Sequence, residues 1–484
     1  MSNRTRELRF EQKMTDAEAL MWNVEKDPWL SPNGAMVSIL DKPIDADMFR
    51  QRIQYAVSEV PRLRERVVPG FGRLAPPMWA TDPEFDFDYH VRHVSLPAPG
   101  TERQLYDLAT RWYEDPYDRT RPLWMFVVVD GLEGGRGALF SKMHHSITDG
   151  IGALRLSEKY LDLAADAEQP APVDLDAVMA EAIAVEEAAE RSADGVSPAD
   201  NLRRSLGHIA RRQAGRARRA LGEVSTWTGD PLLARDFAEE QIDQVRAVID
   251  QLDRNDETHP GSPLWTERSR RRHLETITLS VAALKATGKE LNASINDLFV
   301  AGVAMGAIDY HKAHGVTPDG LNASFVVSTR RDDAIGGNSF TPTMLPLSGN
   351  YRKPKPYLKD VKKRMAAERD SIAGDGALTG LAGVANLLPT SVITQVARAT
   401  AGKLDIATSN LRGAPFPTFI AGAEVLRNIT LGPVSGTAMN ITAMSTADVF
   451  EIGIVVDPAA VAEPSRLRDH MADAFAALLA AAEN

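Results

Sequence analysis

The 484-residue chain contains no cysteine. That absence removes a thiol nucleophile, a cysteine-ligated zinc or iron–sulfur centre and any disulfide framework, and leaves histidine, serine and carboxylates to carry chemistry. Basic charge is in deficit as well. Fifty-five Lys and Arg against 66 Asp and Glu leave a net charge of −11, which disfavours general nucleic-acid binding and favours solubility. The first residues, Met-Ser-Asn-Arg-Thr-Arg-Glu, lack the apolar core of a signal peptide, so a cytoplasmic chain is expected. The longest uncharged stretch, residues 376–397, is long enough to cross a bilayer, but Asn386, Pro389, Thr390, Ser391, Thr394 and Gln395 interrupt it and no spanning helix is expected there. Two signatures are also missing. There is no HExxH and no ligand spacing among the histidines, so no metal is expected. Residues 432–436, Gly-Pro-Val-Ser-Gly, have the wrong spacing for the G-x-S-x-G elbow of serine hydrolases.

What is present describes a folded chain with a large interior: 44% hydrophobic and 25% charged residues, enough length for roughly two or three domains. Thr15 and Asp16 form a cap signal before Ala17, Leu20, Met21 and Val24, which recur at helical spacing. Residues 124–129 read as a strand, 130–137 carry Asp-Gly and Gly-Gly turn signals, and 138–145 resume extended apolar sequence, together a β-hairpin. Residues 166–260 shift first to Glu- and Ala-rich and then to Arg-rich sequence, a helical connector. Its basic face reads as a solvated helix paired with acidic neighbours, or as a contact for anionic lipid. From residue 263 alternating sequence returns, with strands near 272–279, 323–328 and 449–456 and a helix signal at 294–297. The pattern predicts an α/β chain of two similar lobes, 1–165 and 261–484, joined by the 166–260 crossover.

Chemistry is concentrated in one segment, Met143-His144-His145-Ser146-Ile147-Thr148-Asp149-Gly150. It sits where the hairpin strand ends and a new helix, with Ile151, Leu154, Leu161 and Ala165 at roughly helical spacing, is expected to begin. Alternate residues of a strand face opposite ways, so His144 and His145 cannot share a role: one should face a substrate cavity and the other the scaffold. Neutral imidazole is the side chain suited to take a proton from an attacking alcohol near neutral pH. Asp149 lies a tight turn later, where it can orient an imidazole or tie down the loop, and Gly150 lets the backbone turn into the helix. His144 and Asp149 also fit the H-x4-D spacing of membrane glycerol-phosphate acyltransferases, a family of another fold that nothing else in the chain supports.

His144 to Gly150 is an intact HHxxxDG motif, and further matches run along the chain in order. Pro61-Arg62-Leu63-Arg64, the segment from Phe87 to His93 followed by Leu96-Pro97, and Pro122-Leu123-Trp124 precede it or lie just upstream. Asn296-Asp297, Val327-Ser328-Thr329-Arg330 with Gly337-Asn338, and Met439-Asn440-Ile441-Thr442 leading to Asp457 follow it. By these residues the chain resembles the bacterial wax ester synthase/acyl-CoA:diacylglycerol acyltransferase family, within the superfamily of chloramphenicol acetyltransferase and condensation domains. The resemblance implies two chloramphenicol-acetyltransferase-like lobes of an α+β sandwich with an active-site tunnel between them. It implies His145 as catalytic base, Asp149 as mainly structural, Pro122-Leu123-Trp124 and Asn296-Asp297 as the PLW and ND motifs, and acyl-CoA with diacylglycerol or a long-chain alcohol as substrates, without a further cofactor. Peripheral contact with a membrane or lipid droplet follows from such insoluble products.

The chain departs from the family pattern in two places. Ser409-Asn410-Leu411-Arg412-Gly413-Ala414-Pro415 replaces an Asn-Val-Pro-Gly-Pro run, and Ser-Pro-Asn-Gly-Ala-Met at 31–36 replaces a Pro-Met-His. Plainer readings stand beside each residue. Trp124 suits a core aromatic, Asn296 and Asp297 suit a cap for a helix starting at Leu298, and Ser409 and Asn410 suit turn residues bonding their own backbone as well as an oxyanion. A carrier-dependent condensation enzyme and a lipid-binding protein without catalysis are the alternative functions.

Overall fold

The computed structural model describes residues 12–69, 76–147, 150–193, 261–328, 340–374 and 390–483. Asp149, Asn338 and the Arg-rich part of the connector lie outside them. Fourteen strands are described: β1 (Asn33–Leu40), β2 (Glu65–Val68), β3 (Met78–Thr81), β4 (Val91–Ser95), β5 (Trp124–Leu132), β6 (Arg136–His144), β7 (His273–Ser280), β8 (Gly320–Ser328), β9 (Phe340–Ser348), β10 (Ile406–Arg412), β11 (Phe419–Ile420), β12 (Ala423–Leu431), β13 (Met439–Thr446) and β14 (Val449–Val456). One six-stranded sheet runs β11-β12-β1-β6-β5-β4 and another β7-β14-β13-β10-β8-β9, while β2 and β3 pair separately. Each sheet centres one lobe, and the first takes in β11 and β12 from residues 419–431 beside strands from residues 33–144.

The run at 126–129 is apolar at every position because both faces of the first sheet are covered. Phe126 and Val128 pack with Phe49, Ile53 and Val57 of the helix Ala46–Glu59. Val127 and Val129 pack with Leu105, Ala109 and Tyr113 of the helix Glu102–Glu114, which opens on a Thr101–Gln104 capping box. The predicted hairpin is β5–β6, closed by a short turn at Glu133–Gly135.

In the second lobe the helix Ile295–Ala313 is buried along nearly its whole length. Gly302 and Gly306 let it lie against the helix Pro464–Glu483: a Cβ at Gly306 would stand 2.4 Å from Met471 Cα. Among the described residues no single helix is long and apolar enough to cross a membrane. Val281–Glu290 with Ile295–Ala313 pass that test as a bent pair by length and composition, yet Ile295–Ala313 is the core helix of this lobe.

β12 joins the lobes. It pairs antiparallel with β1 in the first sheet while its side chains and backbone pack on β13 and β14 of the second. Gly453 of β14 permits the crossing, since a Cβ there would fall 2.1 Å from the Thr430 carbonyl oxygen. Arg427 of β12 reaches Glu451 at 2.7 Å and Glu102 at 2.9 Å, linking three elements by charge. Burial raises the Glu451 carboxyl and the Arg427 guanidinium draws it back, so the carboxyl stays above its ordinary value.

Three expectations are corrected. The helix after the motif is Gly150–Ser157, so Leu161 and Ala165 lie beyond it. There the chain straightens to exchange two backbone hydrogen bonds between Asp162 and Phe419, at 2.8 and 2.9 Å, and long-range pairing overrides helical spacing. The second-lobe helix starts at Ile295 with Ser294 as its cap, not at Leu298. Ser409 and Asn410 are strand residues of β10, opposite Thr442 and Ala443 of β13, and do not form a turn.

Arg427→Leu is expected to lower stability by about 3 kcal/mol by leaving Glu451 buried without its cation. Adding Glu451→Gln should restore part of the loss, and denaturant unfolding of the single and double variants measures both.

Candidate active site

β6 ends at His144, which lies opposite Asn33 of β1 in the ladder and donates its backbone N–H to the Leu123 carbonyl at 3.0 Å. The chain then turns, and Ile147 N–H closes the turn on the His144 carbonyl at 2.9 Å. His145 occupies the corner, with its own N–H directed to the Pro32 carbonyl at 3.4 Å.

The two histidines diverge. His144 is 0% exposed. Its Nδ1 accepts from the Ser146 backbone N–H at 3.0 Å and lies 2.6 Å from the Ser146 hydroxyl. An acceptor at Nδ1 places the proton of a neutral ring on Nε2, which faces Glu25 Oε2 at 3.0 Å. Trp22 and Tyr117 close the sides of the ring edge-on. His145 is half-buried. Its Nδ1 is buried, and its Nε2 lies over β1, 3.3 Å from the position a Cβ at Gly34 would take.

Glu25 is a site residue that the sequence reading missed. It follows directly on the helix Asp16–Val24 and also receives Arg119 Nη1 at 3.3 Å, while Arg119 covers the Trp22 ring at 3.3 Å and donates to the Trp22 carbonyl. Burial pushes the Glu25 carboxyl up. The bond to His144 and the charges of Arg119 and Lys142 outweigh that and hold it below its ordinary value. Lys142 lies one turn of pleat before His144 and anchors the end of the helix Glu102–Glu114 through the Trp112 and Asp115 carbonyls; burial brings its ammonium down to about 8. Nothing local in sequence connects Glu25 to the motif. Ser146 stands inside the motif but at one of its variable positions.

The other anticipated residues fall into two groups. Leu123 and Trp124 are sealed in the first lobe, Trp124 by a bond from Nε1 to the Leu63 carbonyl at 2.7 Å and by stacking on His90 at 4.4 Å. Pro122 precedes them and is buried as they are. His90 is a core histidine, bonded to the Trp124 carbonyl and brought by burial to about 4. In the second lobe Asn410 Nδ2 donates to Asn296 Oδ1 at 3.3 Å, bringing two of the anticipated residues together. Asp297 completes the capping box with Ser294. Ser409 is half-buried in β10 beside Asn410, and Gly150 opens the helix after the motif. Among the described residues no cluster of three or more His, Asp or Glu is arranged to hold a metal ion.

A model of the wax ester synthase/diacylglycerol acyltransferase catalytic domain matches residues 14–299, and one of the C-terminal domain of that family matches 336–479. The chain belongs to this family. A Mycobacterium tuberculosis protein provisionally named diacylglycerol O-acyltransferase is 31% identical over 461 residues, covering 94% of this chain and 89% of the relative. A second, from the same organism, is 29% identical over 92% of each chain. The wax ester synthase/diacylglycerol acyltransferase of Marinobacter aquaeolei VT8 shares the fold at a TM-score of 0.65 and 18% identity, covering 98% of this chain and all of that one. The first condensation domain of the calcium-dependent antibiotic synthetase, solved with a substrate analogue, shares it at 0.57 and 14% over 97% of each. As a wax ester synthase/diacylglycerol acyltransferase family member, the chain is an acyl-CoA-dependent O-acyltransferase.

Because the Glu25 carboxyl is held low, its stabilising share is complete above its unfolded value near 4.5 and is lost as pH falls through the lower folded value. Glu25→Gln is expected to cost about 1–3 kcal/mol at neutral pH. The gap between variant and wild type should close as the pH is taken below 4.5. Urea unfolding across pH measures this, and a gap that stays constant contradicts it.

Proposed function

We propose that His145 is the general base of direct acyl transfer from acyl-CoA to an alcohol, with diacylglycerol or a long-chain alcohol as acceptor. The observation that carries this reading is the division of labour at the turn. His144 is sealed between Ser146 and Glu25, whereas His145 is half-buried at the corner with Nε2 near Gly34 of β1.

The acceptor hydroxyl gives its proton to His145 Nε2 as its oxygen attacks the thioester carbonyl carbon. A carbon–oxygen bond forms, the tetrahedral intermediate collapses with loss of the carbon–sulfur bond, and the departing CoA thiolate takes up the proton. Both substrates are held together, so entropy of encounter is spent before the chemical step and no acyl-enzyme is required. The chain supplies no cysteine on which one could form. His144 then acts through the backbone: by fixing residue 146 it fixes the corner on which His145 stands. Asp149 and Asn338, which the family resemblance also brings to the site, lie outside the described residues. The insolubility of the acceptors favours peripheral work at a membrane or lipid-droplet surface from the cytoplasmic side.

His145→Ala is expected to reduce ester formation by about a thousandfold or more with the fold intact. His144→Ala should lose thermal stability together with activity. Product analysis with palmitoyl-CoA offered to dipalmitoylglycerol and hexadecanol in one reaction reads both variants and identifies the acceptor; full ester formation by His145→Ala overturns the assignment.

A further inference from the structure

We infer that Gly34 selects the shape of the acceptor: by carrying no side chain it leaves room beside the base for an alcohol that is branched at or next to the carbon bearing the hydroxyl, as a glyceride is. This rests on the reading of His145 as base.

Gly34 is the second residue of β1, paired with Met143 of β6. Its backbone conformation is one that L-residues adopt, so turn geometry does not require a glycine here. Close approach does. Among the described residues, the nearest atoms to a Cβ built at Gly34 are His145 Nε2 at 3.3 Å, His145 Cδ2 at 3.8 Å and the Met143 carbonyl oxygen at 3.8 Å. The missing methyl group therefore borders the nitrogen that receives the proton, where the carbon bearing the hydroxyl must come.

The floor at this point cannot move aside. The Ser31 carbonyl accepts from the Ser435 hydroxyl at 3.2 Å, the Pro32 carbonyl accepts from His145 N–H, and Asn33 is held in register with His144. Ser435 itself is fixed in a left-handed conformation, with φ of 44°. A side chain at residue 34 takes its volume from the substrate or from the imidazole. An unbranched primary alcohol brings only hydrogens to this spot, so it tolerates the loss better than a branched one.

The test is a competition. Wild type, Gly34→Ala and Gly34→Val receive palmitoyl-CoA with an equimolar mixture of hexadecanol, its secondary-alcohol isomer and dipalmitoylglycerol, and the ester products are quantified. Product ratios come only from folded enzyme, so a partly unfolded variant still reports. One methyl group in a pocket discriminates by ~10-fold or more. The expected result is a shift of about fivefold or more toward the hexadecanol ester in Gly34→Ala, and a larger shift in Gly34→Val. A smaller shift, with or without loss of total rate, overturns the inference, because residue 34 would then only seat the imidazole. Failure of the wild type to esterify either branched acceptor overturns it too. The base assignment fails separately, through ester formation by His145→Ala.

Discussion

A buried imidazole must have a partner for each nitrogen, because a polar atom shut away from water without one costs about 1–3 kcal/mol. At His144 this requirement shapes the whole site. Nδ1 is met by the backbone N–H two residues on, so the chain has to turn back immediately after β6. That turn lifts His145 off the sheet. Nε2 is met by Glu25, so the end of the first helix is drawn over the ring, and Arg119 from the loop before β5 is drawn in by the carboxylate. One ring thereby gathers segments from three parts of the chain.

The lobes are held by a different balance. Where β12 crosses onto β13 and β14, buried polar side chains are satisfied across the lobes: Asn428 Nδ2 donates to the Thr446 hydroxyl at 3.4 Å, and the Thr430 hydroxyl donates to the Thr442 carbonyl at 3.1 Å. Gly453 lets the backbones meet, and Arg427 and Glu451 add a charged tie. Hydrogen-bonded contacts of this kind demand one geometry, unlike apolar surfaces, which tolerate sliding. The position of the first lobe against the second is accordingly well specified at the crossing.

Much of this was legible in the sequence wherever the signal is local. The cap at Thr15, the β5–β6 hairpin, the strand at Val449–Val456 and the unlike roles of the adjacent histidines follow from capping chemistry and from the period of a strand. What stayed hidden depends on partners far away in sequence. Glu25 looks like any surface acid after a helix until it is seen to face His144. Ser409 and Asn410 have the composition of a turn, yet they are strand residues because they pair with Thr442 and Ala443 of β13. Leu161 continues a helical stripe that ends early because Phe419 offers Asp162 a ladder partner.

The strand order of the first sheet has a consequence for synthesis. A ribosome that has translated the HHxxxDG segment has released most of the catalytic lobe, yet the strand that covers the free edge of β1 still awaits translation of Ala423–Leu431. Until then β1 exposes unpaired backbone groups, the kind of edge that recruits other chains. Such distant pairing also slows folding, because a long loop must close before the contact forms. The first sheet is thus completed only by a strand translated late in the chain, and a truncated product carrying the intact motif would be an aggregation hazard with that sheet unfinished.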